Sequence, residues 1–207
     1  GVAAAGSFAH GLWWAVFHSV SAFNNAGFDI VGNFRSLTPY QHAPQVLVPI
    51  AVLVILGGLS FAVLSDVARE RRWGRLTLDS KLVLSMTALL LVVGTVLILL
   101  FEWENPHTLQ PLSVRDRVLN AFFHAVTPRT AGFNSLDVAT MNDEALFVTI
   151  GLMFVGGASG SFAGGIKVQS FAVLVLAVWT VLRGRPHVAA FGREIPAEFV
   201  FRAMAIA

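Results

Sequence analysis

Phe17-His18-Ser19-Val20-Ser21-Ala22-Phe23-Asn24-Asn25-Ala26-Gly27-Phe28 and Phe123-His124-Ala125-Val126-Thr127-Pro128-Arg129-Thr130-Ala131-Gly132-Phe133 are two copies of one motif. They align with a slip of one residue: Phe17-His18 stands on Phe123-His124, and Ala26-Gly27-Phe28 on Ala131-Gly132-Phe133. In each copy an amphipathic segment too short to cross about 30 Å of hydrocarbon runs into a glycine-centred stretch of small and polar residues. A long apolar segment follows soon after. That is the layout of a re-entrant pore loop.

Composition places the chain in a membrane independently of the motif. Hydrophobic residues make up 56% of the 207 and charged residues 13%, and the mean hydropathy is +0.71. Soluble domains average about 45–50% apolar and about 25% charged. The net charge of +2 comes from a few arginine clusters, which suit membrane orientation rather than nucleic-acid binding. With no cysteine present, disulfides, thiolate chemistry and Cys-ligated metals are excluded. The chain opens on Gly1-Val2-Ala3 without a basic leader and stops inside an apolar stretch, so the expectation is an internal piece of a longer protein.

Working outward, residues 7–22 form the first short helix, and Val46 to Val67 the first span, with Gly57-Gly58 at its middle. That span ends at Arg69-Glu70-Arg71-Arg72-Trp73-Gly74-Arg75. The next, from Lys81 to Phe101, exits at Glu102-Trp103-Glu104. The arginine-rich side is cytoplasmic by the positive-inside rule, so both motif copies enter from outside. Val114 to Thr127 forms the second short helix. The last apolar element, Ala145 to Leu182, is nearly twice the length a span requires, and its centre, Gly156-Gly157-Ala158-Ser159-Gly160-Ser161-Phe162-Ala163-Gly164-Gly165, holds five glycines. At about 1 kcal/mol per helical glycine that centre is not ordinary helix. Non-helical backbone at membrane depth survives only inside protein or along a wet cavity. Arg183, Arg185 and Arg193 mark a second cytoplasmic loop, and another helix starts near Pro196.

Glycine reaches positive φ at little steric cost, so neighbouring carbonyls can turn toward one axis and replace the water around an alkali cation. The short helices add their negative C-terminal dipole ends. Gly27 and Gly132 carry this geometry, with Asn25, Ala26, Thr130 and Ala131 beside them. The alternative, that both glycines are plain helix C-caps, leaves their repetition on one side unexplained. Arg129 replaces Phe23 in the second copy; it is expected to face away from the axis and pair with Asp137 or Asp116. Asp29 and Asp137 lie at the mouth. His18 and His124 are expected on the polar faces of their helices, and no histidine pair has metal-ligand spacing.

These residues resemble a known family. Ser21 to Phe28, Thr127 to Asn134, and Gly156 to Lys167 look like the second filter, third filter and intramembrane loop of Trk/Ktr-type potassium transporter subunits, in the family's order. The resemblance implies an all-α membrane protein of repeated helix–pore loop–helix units, as in potassium channels, with a broken helix in the third repeat. Residues 1–72 would hold the pore helix, filter and second helix of repeat two, 73–184 repeat three, and 185–207 a cytoplasmic loop and the start of repeat four. It implies potassium uptake across the plasma membrane by a multi-pass, non-enzymatic protein, with K+ as cargo and no organic cofactor. The filter would be Asn25, Ala26, Gly27 and Phe28 with Thr130, Ala131, Gly132 and Phe133. The gate would be the loop carrying Gly156, Gly157, Ser159, Gly160, Ser161, Gly164, Gly165 and Lys167. The family often has Thr where Phe162 stands. Lys167 is expected to snorkel to the cytoplasm or to place a charge under the pore. The implied partners are a second copy of the chain, a cytosolic nucleotide-binding regulatory subunit docking on the arginine loops, and membrane lipid, with no nucleic acid.

Four other readings compete, one of them a purely structural membrane subunit or degenerate repeat that conducts nothing. A sodium-permeable or Na+/H+-coupled symporter of the same superfamily fits the same motifs. Gly157-Ala158-Ser159-Gly160 resembles a rhomboid-type intramembrane protease, but no histidine lies on a neighbouring span to activate the serine. A phosphate-binding loop fails because Ile166 separates Gly165 from Lys167 and Val168 stands where Ser or Thr is needed.

Overall fold

A computed structural model describes residues 8–185 and 187–206. Eight helices appear among them: α1 (Phe8–Phe23), α2 (Pro44–Gly58), α3 (Phe61–Glu70), α4 (Leu78–Glu102), α5 (Val114–Val126), α6 (Asp143–Phe154), α7 (Val168–Leu182) and α8 (Ala197–Ile206). The second basic loop carries a small antiparallel hairpin, Ala189–Ala190 against Arg193–Glu194, so the chain is mostly rather than wholly helical.

Helix starts follow local chemistry. Pro44 opens α2 at a position where its missing N–H costs nothing. Ser113 accepts from Asp116 N at 3.2 Å to start α5, and Thr77 accepts from Ser80 N at 3.2 Å to start α4. α4 is the mast of the fold. Its Leu82, Val83 and Met86 join α3, α7 and the hairpin in one core. Leu91 enters a second core with α1, α2 and α5, and Ile98 enters a third at the outer end. Gly94 lets α5 and α6 close on the mast, since a Cβ there would meet Leu152 Cδ1 at 3.0 Å and Ala125 Cβ at 3.2 Å.

Among the described residues α4 alone is long and apolar enough to cross a membrane as a single helix. The span expected from Val46 to Val67 is instead two helices, α2 and α3, bent by 100°. A tertiary contact sits at the bend. The Phe23 carbonyl presses against Gly57 so closely that any Cβ there would collide with it. Ser60 then caps a new helix, accepting from Val63 N at 3.3 Å. The long element from Ala145 to Leu182 is divided too, into α6 and α7 with an irregular stretch between them. Glu102, at the exit of its span, is buried. Asn142 N donates to it at 2.7 Å, Asn105 Nδ2 at 2.8 Å and the Thr108 hydroxyl at 2.5 Å.

Candidate functional site: two facing breaks and a glycine-rich loop

α1 and α5 end in the two motif copies, and both breaks follow the same backbone rule. Residues of positive φ alternate with residues that are not: Asn25 (49°) and Gly27 (71°) in the first copy, Thr130 (75°) and Gly132 (81°) in the second. The helix cap is Asn25 rather than Gly27. Ala26 N bonds back to Ser21 O at 2.9 Å and Asn25 N to Ala22 O at 3.1 Å, so Gly27 stands beyond a closed helix end. Turned with its nitrogen inward, the Asn25 amide lies 3.1 Å from both the Ala22 and Val54 carbonyls. In the second copy Thr127 O takes Ala131 N at 2.9 Å and Gly132 N at 3.2 Å.

The two breaks meet backbone to backbone. A Cβ on Gly27 would collide with the Ala131 carbonyl oxygen and stand 3.0 Å from Gly132 Cα, and one on Gly132 would lie 3.4 Å from Gly27 Cα. Segment 36–42 clips the copies together. Leu37 N donates to Asn134 O at 2.9 Å, Asn134 N to the Ser36 hydroxyl at 3.0 Å, and Gln41 Nε2 to Ser135 O at 2.8 Å. Ala26, Thr130, Gly132 and His124 border one cavity of about 400 Å³. The Phe28 carbonyl accepts from the Ser21 hydroxyl at 2.7 Å, which commits one of its lone pairs to α1.

Several expected side-chain roles change. His18 and His124 are buried, not on polar faces. His18 Nδ1–H donates to Trp14 O at 2.7 Å, leaving Nε2 to face Ile30 N at 3.4 Å. The Thr149 hydroxyl donates to Ala145 O at 2.8 Å and so accepts from His124 Nε2–H at 3.0 Å, which puts the proton on the opposite nitrogen. Arg129 pairs with neither Asp137 nor Asp116. It is buried, its Nε and Nη1 have no partner, and Asp116 is taken by His42 at 2.7 Å. Asp29 and Asp137 cap their own turns, accepting from Val31 N at 3.0 Å and Ala139 N at 3.1 Å.

The glycine-rich stretch between α6 and α7 is a closed loop with a neck. Gly156 N donates to Ile166 O at 3.0 Å, Ile166 N to Phe154 O at 3.3 Å and Val168 N to Gly157 O at 3.1 Å, around a parallel bridge of Val155 to Ile166. Gly160 (76°) and Gly165 (73°) take positive φ at its turns. Gly156 and Gly157 are buried in the neck, while Ser159, Gly160 and Gly164 are exposed and Ser161 is half-buried. Lys167 does not snorkel; its Nζ donates to Ala163 O at 2.8 Å and ties the loop to itself. The loop also lies under both breaks. A methyl on Gly164 would stand 3.7 Å from Thr130 Cγ2, and the Phe162 and Phe23 rings are 5.7 Å apart.

Sequence reasoning missed Gly57 and Gly58. Their carbonyls, freed by the bend, accept from Phe162 N at 3.3 Å and Ala158 N at 2.9 Å, so the loop is seated on the break between α2 and α3. The available signal was a glycine pair followed by Ser60, a helix-starting residue, inside an apolar run.

The chain is thus mostly helical, with two irregular breaks that meet over a third irregular loop and, among the described residues, one helix long and apolar enough to cross a membrane. Residues 6–205 match the family described as TrkH, cation transport protein, and the chain belongs to it. It is 44% identical over 198 residues to the Ktr system potassium uptake protein B of Vibrio alginolyticus, covering 95% of this chain and 43% of that protein. It is 41% identical over 198 residues to the potassium/sodium uptake protein NtpJ of Enterococcus hirae, covering 96% and 43%. The crystal structure of the potassium transporter TrkH from Vibrio parahaemolyticus superposes with a TM-score of 0.71 at 20% identity, over 93% of this chain and 41% of that one. The chain thus spans less than half the length of these relatives.

Proposed function

We propose that the chain is part of a potassium-uptake protein of the cell membrane, and that its two breaks form half of a carbonyl-lined cation filter. It holds the pore helix, filter and bent second helix of one repeat (1–72), a complete second repeat (73–184) and the start of another (185–207). Asn25, Ala26 and Gly27 with Thr130, Ala131 and Gly132 supply the oxygens, and Phe28 and Phe133 end the two segments. The loop from Gly156 to Lys167 is the gate. The observation that carries the reading is the contact of Gly27 with Gly132, each flanked by the same alternation of backbone handedness. Alternation of that kind turns successive carbonyls to one side, which lets them replace a hydration shell without any carboxylate.

The membrane potential supplies the drive. One positive charge entering down a potential of about 100 mV, negative inside, gains about 2.3 kcal/mol, enough for roughly fortyfold accumulation. The Ktr-system names of the relatives support a partner subunit, which we propose is cytosolic and nucleotide-binding, with the uptake protein itself a homodimer as the family resemblance implies. The test is Rb+ uptake into proteoliposomes holding the gene-encoded protein. Gly132→Asp is expected to abolish uptake while the protein still purifies as a folded species. Uptake that survives the change overturns the filter assignment.

A further inference from the structure

The loop is held by more than its own neck. Two of its backbone N–H groups, on Ala158 and Phe162, donate to carbonyls of Gly58 and Gly57, which the bend between α2 and α3 exposes. Gly157 fits only as glycine, because a Cβ there would stand 2.6 Å from Gly58 O. Gly160 would bring a Cβ to 3.9 Å from Ser60 Cβ, beside the cap of α3. The same bend is braced from above by the Phe23 carbonyl at Gly57, and Phe23 in turn meets the Phe162 ring. Neck, bend and first break are therefore one continuous backbone contact.

We propose that the bend at Gly57–Ser60 is the seat of the closed gate, and that Gly57, Gly58 and Phe23 are positioning residues for transport. This rests on the gate reading above. In an ordinary helix both carbonyls would be consumed by the helix itself, so the bend creates the two acceptors that the loop uses. To clear the path the tip must give up both hydrogen bonds and the Phe23–Phe162 contact. The equilibrium between seated and lifted loop thus depends on the second helix of the preceding repeat as well as on α6 and α7.

The chain has no cysteine, which allows a clean cross-link. Ser60→Cys with Gly160→Cys places two sulfurs at a Cβ separation within the range of an unstrained disulfide. In the gene-encoded protein in proteoliposomes, oxidation is expected to form the bond and slow Rb+ uptake by about tenfold or more, with recovery on reduction. A quantitative disulfide with unchanged flux overturns the proposal, as does failure of the reduced, folded pair to cross-link. Absence of flux in the unmodified protein overturns the transport reading instead. Because Gly160 has positive φ, a second route avoids it. Phe23→Ala and Phe162→Ala are each expected to raise basal uptake by about threefold, and the pair by no more than the stronger single change, since both remove one contact. Additive effects, or none, overturn the proposal.

Discussion

The two motif copies share a backbone and differ in nearly every side-chain environment. In the first, Phe28 is 70% exposed; in the second, the equivalent Phe133 is fully buried. The first copy enters positive φ on Asn25, a residue type that tolerates it, and the amide finds two carbonyls. The second enters it on Thr130, a β-branched residue, whose hydroxyl has no partner. Both nitrogens of His18 face partners, whereas His124 Nδ1 has none and the neighbouring Arg129 leaves Nε and Nη1 unpartnered. The repeat preserves the chain path through the break, and strain together with unmet polar groups collects in the second copy. Residues held in sparsely populated backbone regions persist only where the surrounding structure over-determines them, as the packing of Ala131 and Gly132 against the first copy does here beside Thr130.

The sharpest way to break this comparison is to add a methyl to each glycine. Gly27→Ala strikes the Ala131 carbonyl as well as adopting left-handed backbone, about 3 kcal/mol or more in all, and is expected to lose both uptake and thermal stability. Gly132→Ala meets only ordinary contact and carries the backbone term alone, about 1–2 kcal/mol. Equal losses at the two sites would show that the copies do not pack as described. Next in size, the cap residues should respond with opposite signs. Asn25→Gly gives up two buried amide bonds and is expected to destabilise by about 1–2 kcal/mol. Thr130→Gly relieves strain and is expected to stabilise by about 1 kcal/mol, read as the melting shift of the detergent-solubilised protein.

The smallest effect lies at the rim, where His42 hydrogen-bonds Asp116 and holds its carboxyl below the usual 3.8. A folded value below the unfolded one gives stability that is present above pH 3.8 and lost as pH falls through the lower folded value. Asp116→Asn should flatten that acid limb by removing the contribution at neutral pH, where the variant is expected to be slightly less stable, while the two proteins converge in acid. An unaltered acid limb would remove the pair from the clip between the two copies.

Much of this arrangement is legible in the residues. Helical periodicity with flanking polar residues places the short helices, expected at 7–22 and 114–127 and found at Phe8–Phe23 and Val114–Val126. The unbroken Leu and Val run places α4. The bend after Gly58 is not legible from periodicity, because the composition on both sides of it is apolar. What bends the chain is a carbonyl from Phe23, distant in sequence. For the same reason the partners of Arg129 and Lys167 are misjudged from sequence. An arginine near acids suggests an ion pair and a lysine at a membrane edge suggests snorkelling, but the fold buries the first and hands the second an oxygen within its own loop. Local chemistry predicts caps and turns well, and a glycine marks where backbone can approach closely, but residue type does not say which distant segment approaches it.

The bridge between Val155 and Ile166 confines the motion. With the two strands of the neck stitched together, the tip from Ser159 to Ala163 can swing without α6 and α7 drifting apart. In the gate reading proposed above, lifting the tip breaks the hydrogen bonds to Gly57 O and Gly58 O and the Phe23–Phe162 contact and leaves the neck intact, so the motion is that of a loop rather than the concerted sliding of whole helices. The proposed gate then interrupts a stream of ions while its scaffold stays still.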